Sequence, residues 1–320
     1  FGSNMTFQAG RMNLMYGSGF VLFDGNSQFA STSLYFDGAK LSIPLGDKAV
    51  LDGFYVRDEE NNRWDIKDDD ITLGGVYLTA HCPVMGSEKG QQELYVLNRR
   101  NDGISKDIWM TGIRLSDKFE NGLDYSGEFG YQFGDFKDNA NIDQDAYGYK
   151  LDAGFSLKDM LMSPRLFCGY MYLQGDDDPT DNESNRWDVF YGGWPQFGDL
   201  LAWKYVNVPF NNNANYDPTW NEGSTTGGEA VYSNISMLSA GVGAQLTSSL
   251  SAKFTYGLLT VDEPFAGADD DFGDYYQLQT KYGYSKNLSF AMYTAMLVPG
   301  DAFIDDDNAY EFFIETNLKF

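Results

Sequence analysis

The C-terminal stretch Tyr310-Glu311-Phe312-Phe313-Ile314-Glu315-Thr316-Asn317-Leu318-Lys319-Phe320 repeats with a period of two. Successive side chains of an extended strand point to opposite sides. Tyr310, Phe312, Ile314, Thr316, Leu318 and Phe320 therefore share one face, and Glu311, Phe313, Glu315, Asn317 and Lys319 share the other. A helical period of 3.6 would scatter both sets. The same alternation recurs upstream. Tyr276, Leu278, Thr280, Tyr282 and Tyr284 oppose Gln277, Gln279, Lys281 and Gly283, and Leu250, Ala252, Phe254, Tyr256 and Leu258 oppose Ser251, Lys253, Thr255 and Gly257. Tyr147 to Leu157 and Leu123 to Phe133 repeat the pattern, with Lys150, Asp152, Asp124 and Glu128 on their polar faces.

Composition narrows what such strands can build. The chain has 320 residues, 42% hydrophobic and 16% aromatic, with 47 acids against 22 bases and a net charge of −25. No run approaches the ~20 apolar residues of a spanning helix. A polyanion would be repelled, so nucleic acid is not expected as a partner. Two cysteines, Cys82 and Cys168, are too few for a disulfide scaffold and lack metal-ligand spacing. The chain reads as mature protein from Phe1, without a signal peptide.

A polar opposing face suits either a soluble sheet with one wet side or the inside of a membrane barrel. Segment length, together with Tyr and Phe near segment ends, favours the barrel, because tilted spanning strands need ~9–11 residues and carry aromatic girdles. Fourteen strands are expected, near 5–16, 32–43, 49–56, 71–79, 91–98, 107–115, 123–135, 145–157, 164–174, 234–246, 249–260, 274–284, 287–297 and 309–320. Short connections (Pro44–Lys48, Ser116–Gly122, Lys158–Ser163, Thr247–Ser248, Ser285–Asn287) alternate with longer, acidic ones (Gly17–Ser31, Arg57–Asp70, Gly134–Gln144, Gly175–Ser233, Val261–Gly273, Val298–Asn308). His81–Gly90 is a misfit, long at an expected short end. Short turns on one side and long loops on the other describe a single-domain, all-β, antiparallel up-and-down barrel in the outer membrane.

Most acids fall in the long loops, as in Asp68-Asp69-Asp70, Asp176-Asp177-Asp178, Asp269-Asp270-Asp271 and Asp305-Asp306-Asp307. No cofactor is expected. Divalent cations bridging these extracellular loops to lipopolysaccharide are the one candidate ligand, against a merely solvated rim. A charge facing lipid costs ~2–4 kcal/mol near the midplane. On that ground Arg11, Arg114, Lys150, Lys253 and Lys281 are assigned to the pore wall, with Asp124, Glu128, Asp152, Glu311 and Glu315 beside them. Cross-strand pairing that only keeps the interior wet is the alternative role for each.

Gly175–Ser233 is too long for a passive turn and carries Trp187, Trp194, Trp203 and Trp220 among other aromatics. Such side chains need burial, so this loop is the candidate constriction, with Trp187, Trp194 and Trp203 available to stack on sugar rings; packing over the rim for stability alone is the alternative. Catalysis is not expected. The single histidine, His81, lies in a connection at the periplasmic end, and neither HExxH nor CxxC occurs.

Several pieces carry a resemblance: Gln8-Ala9-Gly10-Arg11-Met12, Phe36-Asp37-Gly38-Ala39-Lys40-Leu41, Gly175-Asp176-Asp177-Asp178-Pro179-Thr180-Asp181, Trp187-Asp188 and Gly193-Trp194-Pro195-Gln196. Together they resemble the alginate-export-type outer-membrane channels. The resemblance implies a monomeric channel for polysaccharide or related solutes, with Arg11 in the place of the family's lumenal arginine. Family barrels are generally eighteen-stranded, which implies either strands before Phe1 or a smaller relative of the family. The terminal Phe320 resembles the signal read by barrel-assembly machinery. The expected function is a porin-like channel for hydrophilic solutes such as saccharides, with the acidic rim favouring cations or neutral sugars. A non-conducting barrel that serves as a wall for a partner protein is the alternative. Inward Gly130, Gly148, Gly154, Gly243 and Gly257 argue for an open bore.

Overall fold

A computed structural model of the chain describes residues 5–23, 35–58, 71–82, 89–101, 105–136, 142–178, 180–188, 190–192, 200, 233–264, 267, 269–303 and 307–320. The strands are β1 (Thr6–Met12), β2 (Phe36–Pro44), β3 (Ala49–Asp58), β4 (Ile71–Ala80), β5 (Gln91–Asn101), β6 (Lys106–Lys118), β7 (Leu123–Phe136), β8 (Ile142–Ser156) and β9 (Arg165–Leu173), followed by β10 (Glu183–Ser184), β11 (Ile235–Gln245), β12 (Leu250–Val261), β13 (Asp271–Gly283), β14 (Leu288–Pro299) and β15 (Ala309–Leu318). All but β10 pair antiparallel with their neighbours in chain order. The two-residue β10 adds to β8 in parallel. Among the described residues no pairing joins β1 to β15, so the sheet is not closed.

Each of the fourteen expected strands coincides with one of the fourteen in this meander. Several boundaries move. β1 ends at Met12, and Tyr16 leaves the wall. The hairpins β5–β6 and β7–β8 reach farther, leaving only 102–105 and 137–141 between strands where a loop over Gly134–Gln144 was expected. The β5–β6 pairing continues past the apolar alternation because polar partners sustain it. Asn98 donates to Asp107 Oδ1 at 2.6 Å, and Asn101 lies opposite Lys106.

Burial is inverted relative to a soluble sheet. In β5, Glu93, Tyr95, Leu97 and Arg99 are buried while Leu94 and Val96 face out. Gln132, Gln144, Thr255 and Gln277 are buried, whereas Phe312 is 65% and Ile314 59% exposed. An apolar outer face around a polar interior is stable where hydrocarbon is the outer solvent. The interior is itself partly filled, because segments following β1 and β9 pack against the inner face.

Arg11 does not take the pore-wall position expected of it. Met12 pairs with Phe36 and both are buried, so Arg11 and its partner Asp37 lie on the opposite, outer face, in step with Phe7 and Leu41. Arg11 donates to both Asp37 oxygens, at 3.0 and 2.8 Å, with both side chains well exposed. The rule that sent it inward weakens with depth. Near the interface the penalty falls to ~0–1 kcal/mol, and Arg11 is one residue from the long-loop end of β1. A fork of two charge-assisted hydrogen bonds to Asp37 offsets the remainder.

Candidate functional site

Two segments narrow the interior. The first follows β1. Tyr16 stacks on Tyr77 at 4.1 Å between ring centroids, and Tyr77 stacks on Tyr95 at 5.2 Å. The Tyr16 hydroxyl donates to Asp52 at 2.7 Å. Burial first, and then the Asp52 carboxylate, push this hydroxyl well above its ordinary range, so it remains a donor. Gly17 has φ of +58°, and a β-carbon there would meet Arg114 Cδ at 2.9 Å and Glu93 Oε2 at 3.0 Å. Both the backbone angle and the close approach require glycine. Beneath it Arg114 lies between Glu93 (3.3 Å) and Glu128 (3.8 Å). Tyr77 donates to Glu93 at 2.7 Å, and Ser18 of the inward segment reaches Glu128 at 3.4 Å. Leu14, Phe20, Val21 and Leu22 are buried.

The second segment follows β9. Trp187 is 1% exposed and stacks on Phe20 at 5.5 Å. Its indole lies over two inner-face glycines: a β-carbon on Gly130 would come within 2.8 Å of Cη2, and one on Gly148 within 2.9 Å of Cε3. These glycines make room for a loop side chain and do not widen the bore, which corrects the expectation drawn from them. With its faces covered, Trp187 is a packing anchor here and has no free face for a sugar. Trp194 and Trp203, the other two proposed constriction aromatics, lie outside the described residues. A β-branched side chain at position 148 must displace the indole, so Gly148→Val is expected to lower the apparent melting temperature by several degrees in detergent. A fully retained melting temperature would contradict this packing.

Asp188 fastens this loop. Its carboxylate pairs with Lys106 of β6 and with Arg99 of β5 at 3.2 Å, and its side chain is only 5% exposed. The Phe190 amide donates to it at 2.8 Å, and Gln132 of β7 accepts from the Asp188 amide at 2.7 Å. Burial pushes the carboxyl up, but the Lys106 ammonium and the Arg99 guanidinium outweigh it and hold the group well below the usual carboxylate range. The two segments also join each other. Leu22 bridges Tyr191 in parallel, and the Phe23 amide donates to the Tyr191 carbonyl at 2.9 Å.

The remaining assigned residues occupy the inner face of β7 to β15. Lys150 lies 3.4 Å from Asp152. Asp124 is paired with Arg165 of β9, its Oδ2 accepting from Nε at 3.0 Å. Gly243 of β11 lies in register between Arg165 and Lys253. Lys253 sits over the Phe167 ring at 4.7 Å and has no carboxylate partner among the described residues. Its charged neighbours are Lys150, Arg165, Asp152 and Lys281. Glu311 accepts from the Leu200 amide at 2.8 Å, and Glu315 is half-buried on the same face of β15. Glu93, Arg99, Lys106, Arg165 and Asp188 were missed from sequence. Arg165, Phe167 and Gly169 alternate visibly, so Arg165 was within reach, whereas Arg99 and Lys106 lay beyond the strand ends drawn at 98 and 107. Much of the acidic rim, including Asp68 to Asp70, Asp305 and Asp306, lies outside the described residues, and among those described no acidic cluster is arranged to hold a metal.

No curated protein matches the sequence. Solved structures do match the fold, among them three from Pseudomonas aeruginosa. OccK10 (OpdN) is 15% identical with a TM-score of 0.59, over 99% of this chain and 81% of its own. OccK5 (OpdH) is 13% identical with a TM-score of 0.56, over 99% and 79%. The outer membrane protein OprD is 13% identical with a TM-score of 0.55, over 98% and 74%. These likenesses show the β-barrel fold. The family model described as alginate export matches residues 1–315. With nearly its whole length matched, the chain belongs to the alginate export family of outer-membrane, porin-like β-barrel channels.

Proposed function

We propose that the chain is a passive diffusion channel for saccharides, with a preference for sugars that carry carboxylates. The observation behind this reading is the basic cluster of Lys150, Arg165, Lys253 and Lys281 on the inner wall, in which Lys253 forms no ion pair among the described residues and Asp152 is its one acidic neighbour there. Glu93 and Glu128 are taken up by Arg114, and Asp188 by Arg99 and Lys106. Around Lys253 bases outnumber acids, with Lys150, Arg165 and Lys281 against Asp152, which gives this part of the wall a local positive potential for a solute. The family description, alginate export, points to the same class of cargo. Recognition of Phe320 by assembly machinery, and divalent cations between the rim and lipopolysaccharide, belong to the same proposal.

The test is reversal potential across a planar bilayer in a potassium chloride gradient, with block by a uronate oligosaccharide in the same cell. Anion preference is expected, and Lys253→Glu should reduce it several-fold and weaken the block. Cation preference in the unaltered protein would overturn the reading. One observation favours a second reading, a non-conducting wall for a partner: Trp187 and the segment after β1 fill part of the interior. Absence of conductance from a folded, inserted sample would select it.

A further inference from the structure

We propose that the outer wall holds one phospholipid of the periplasmic leaflet, with an acyl chain in a groove across β7, β8 and β9 and its phosphate at the Lys158 ammonium. This rests on the placement of the barrel in the outer membrane and is independent of which solute passes through it.

Leu115, Gly127, Leu151, Tyr170 and Leu238 form one outward row across adjacent strands, and Gly127 is the gap in it. In the next row toward the short-turn end, Ala153 pairs with Cys168. These small residues floor a depression of about 640 Å³ walled by Leu115, Phe129, Leu151 and Tyr170. That volume lies within the ~300–1,000 Å³ typical of small-molecule sites. The charged side chains of the same strands turn the other way, Glu128 toward Arg114 and Asp152 toward Lys150. The groove is thus almost wholly apolar and continuous with the face that meets hydrocarbon, where an extended alkyl chain is the available occupant.

Its lower end identifies the head group. The β8–β9 turn, closed by the Leu157 amide donating to the Pro164 carbonyl at 2.8 Å, presents Met160, Leu161 and Met162 to the outside, Leu161 at 86% exposure. An apolar knuckle at the short-turn end sits at the level of the inner-leaflet interface. Lys158 on that turn donates to the Glu120 carbonyl at 2.8 Å. An ammonium carries three donors, so two remain for a phosphate. The groove crosses β8 and β9, and the turn that joins these two strands carries both the apolar knuckle and the cation, a layout that suits a lipid with an anionic head group and not a sugar.

The experiment is native mass spectrometry of the detergent-purified protein after incubation with palmitoyl-oleoyl-phosphatidylglycerol, alongside single-channel conductance. One lipid per protein is expected to survive activation. Gly127→Phe, which fills the notch, and Lys158→Glu should each lower retention about tenfold, roughly 1.4 kcal/mol, with conductance unchanged. If Gly127→Phe fails to fold, Cys168→Phe fills the same floor from β9. Equal retention in the variants, or none in the unaltered protein, would overturn the proposal. So would efficient Cys168–Cys168 disulfide formation in a Cys82→Ser background, since a second copy would then occupy the groove.

Discussion

Asp188→Ala is expected to release the loop after β9 and raise single-channel conductance several-fold. The substitution leaves Arg99 and Lys106 without the carboxylate that both contact. Breaking a buried pair by removing one partner costs about 3–5 kcal/mol, because the remaining charge is stranded. That is comparable with what burial of Phe190 and Trp187 contributes (about 1.5–3 kcal/mol each), and the Phe190 amide loses its acceptor as well. The loop should swing from the wall, and the apparent melting temperature should fall with it. The pH dependence of the unaltered protein follows from the same site. A carboxyl with a lowered folded pKa contributes fully above its unfolded value, and the contribution is lost as pH falls through the folded value. Conductance should therefore hold steady from neutral pH down to about pH 4, provided Asp188 is the controlling group. An unchanged conductance in Asp188→Ala would show that the loop is fixed elsewhere.

Arg114→Met should have the larger effect on stability. It leaves Glu93 and Glu128 facing each other with no cation between them, both almost wholly buried. Like charges in a poorly solvated site repel strongly, and the segment carrying Gly17 and Ser18 rests directly on this pair. Barrels of this kind unfold irreversibly, so the readout is an apparent melting temperature at a fixed scan rate. A drop of about five to seven degrees is expected (about 3–5 kcal/mol for a stranded buried charge, spread over the unfolding entropy of a chain this long). Adding Glu93→Gln removes one of the two carboxylates and should restore much of the loss. If the double variant is no better than the single one, Arg114 acts through packing alone.

How much of this was legible depended on whether the signal was local. Alternation in Tyr310–Phe320 or Leu123–Phe133 is written into neighbouring residues, so the wall, its faces and its order followed directly. The inward turn after Met12 is not local. Tyr16 reads as one more girdle aromatic at a strand end, and only its contacts with Tyr77 and Asp52, far along the chain, bring it inside. Asp188 likewise looks like one acid among many until β5 and β6 bring Arg99 and Lys106 to it. Gly130 and Gly148 were read by what they lack. What they make room for comes from Trp187, some 40 to 60 residues away in sequence. Arg11 failed for a different reason: a penalty appropriate to the middle of the bilayer was applied at its edge.

The backbone bridge between Leu22 and Tyr191 ties the two interior segments into one mechanical unit. Neither can retract far without dragging its neighbour, so the passage has in effect a single door hung on two hinges, at Arg114 and at Asp188. Current that jumps between discrete levels in place of a smooth continuum is the expected record, with dwell times that change when either hinge is loosened.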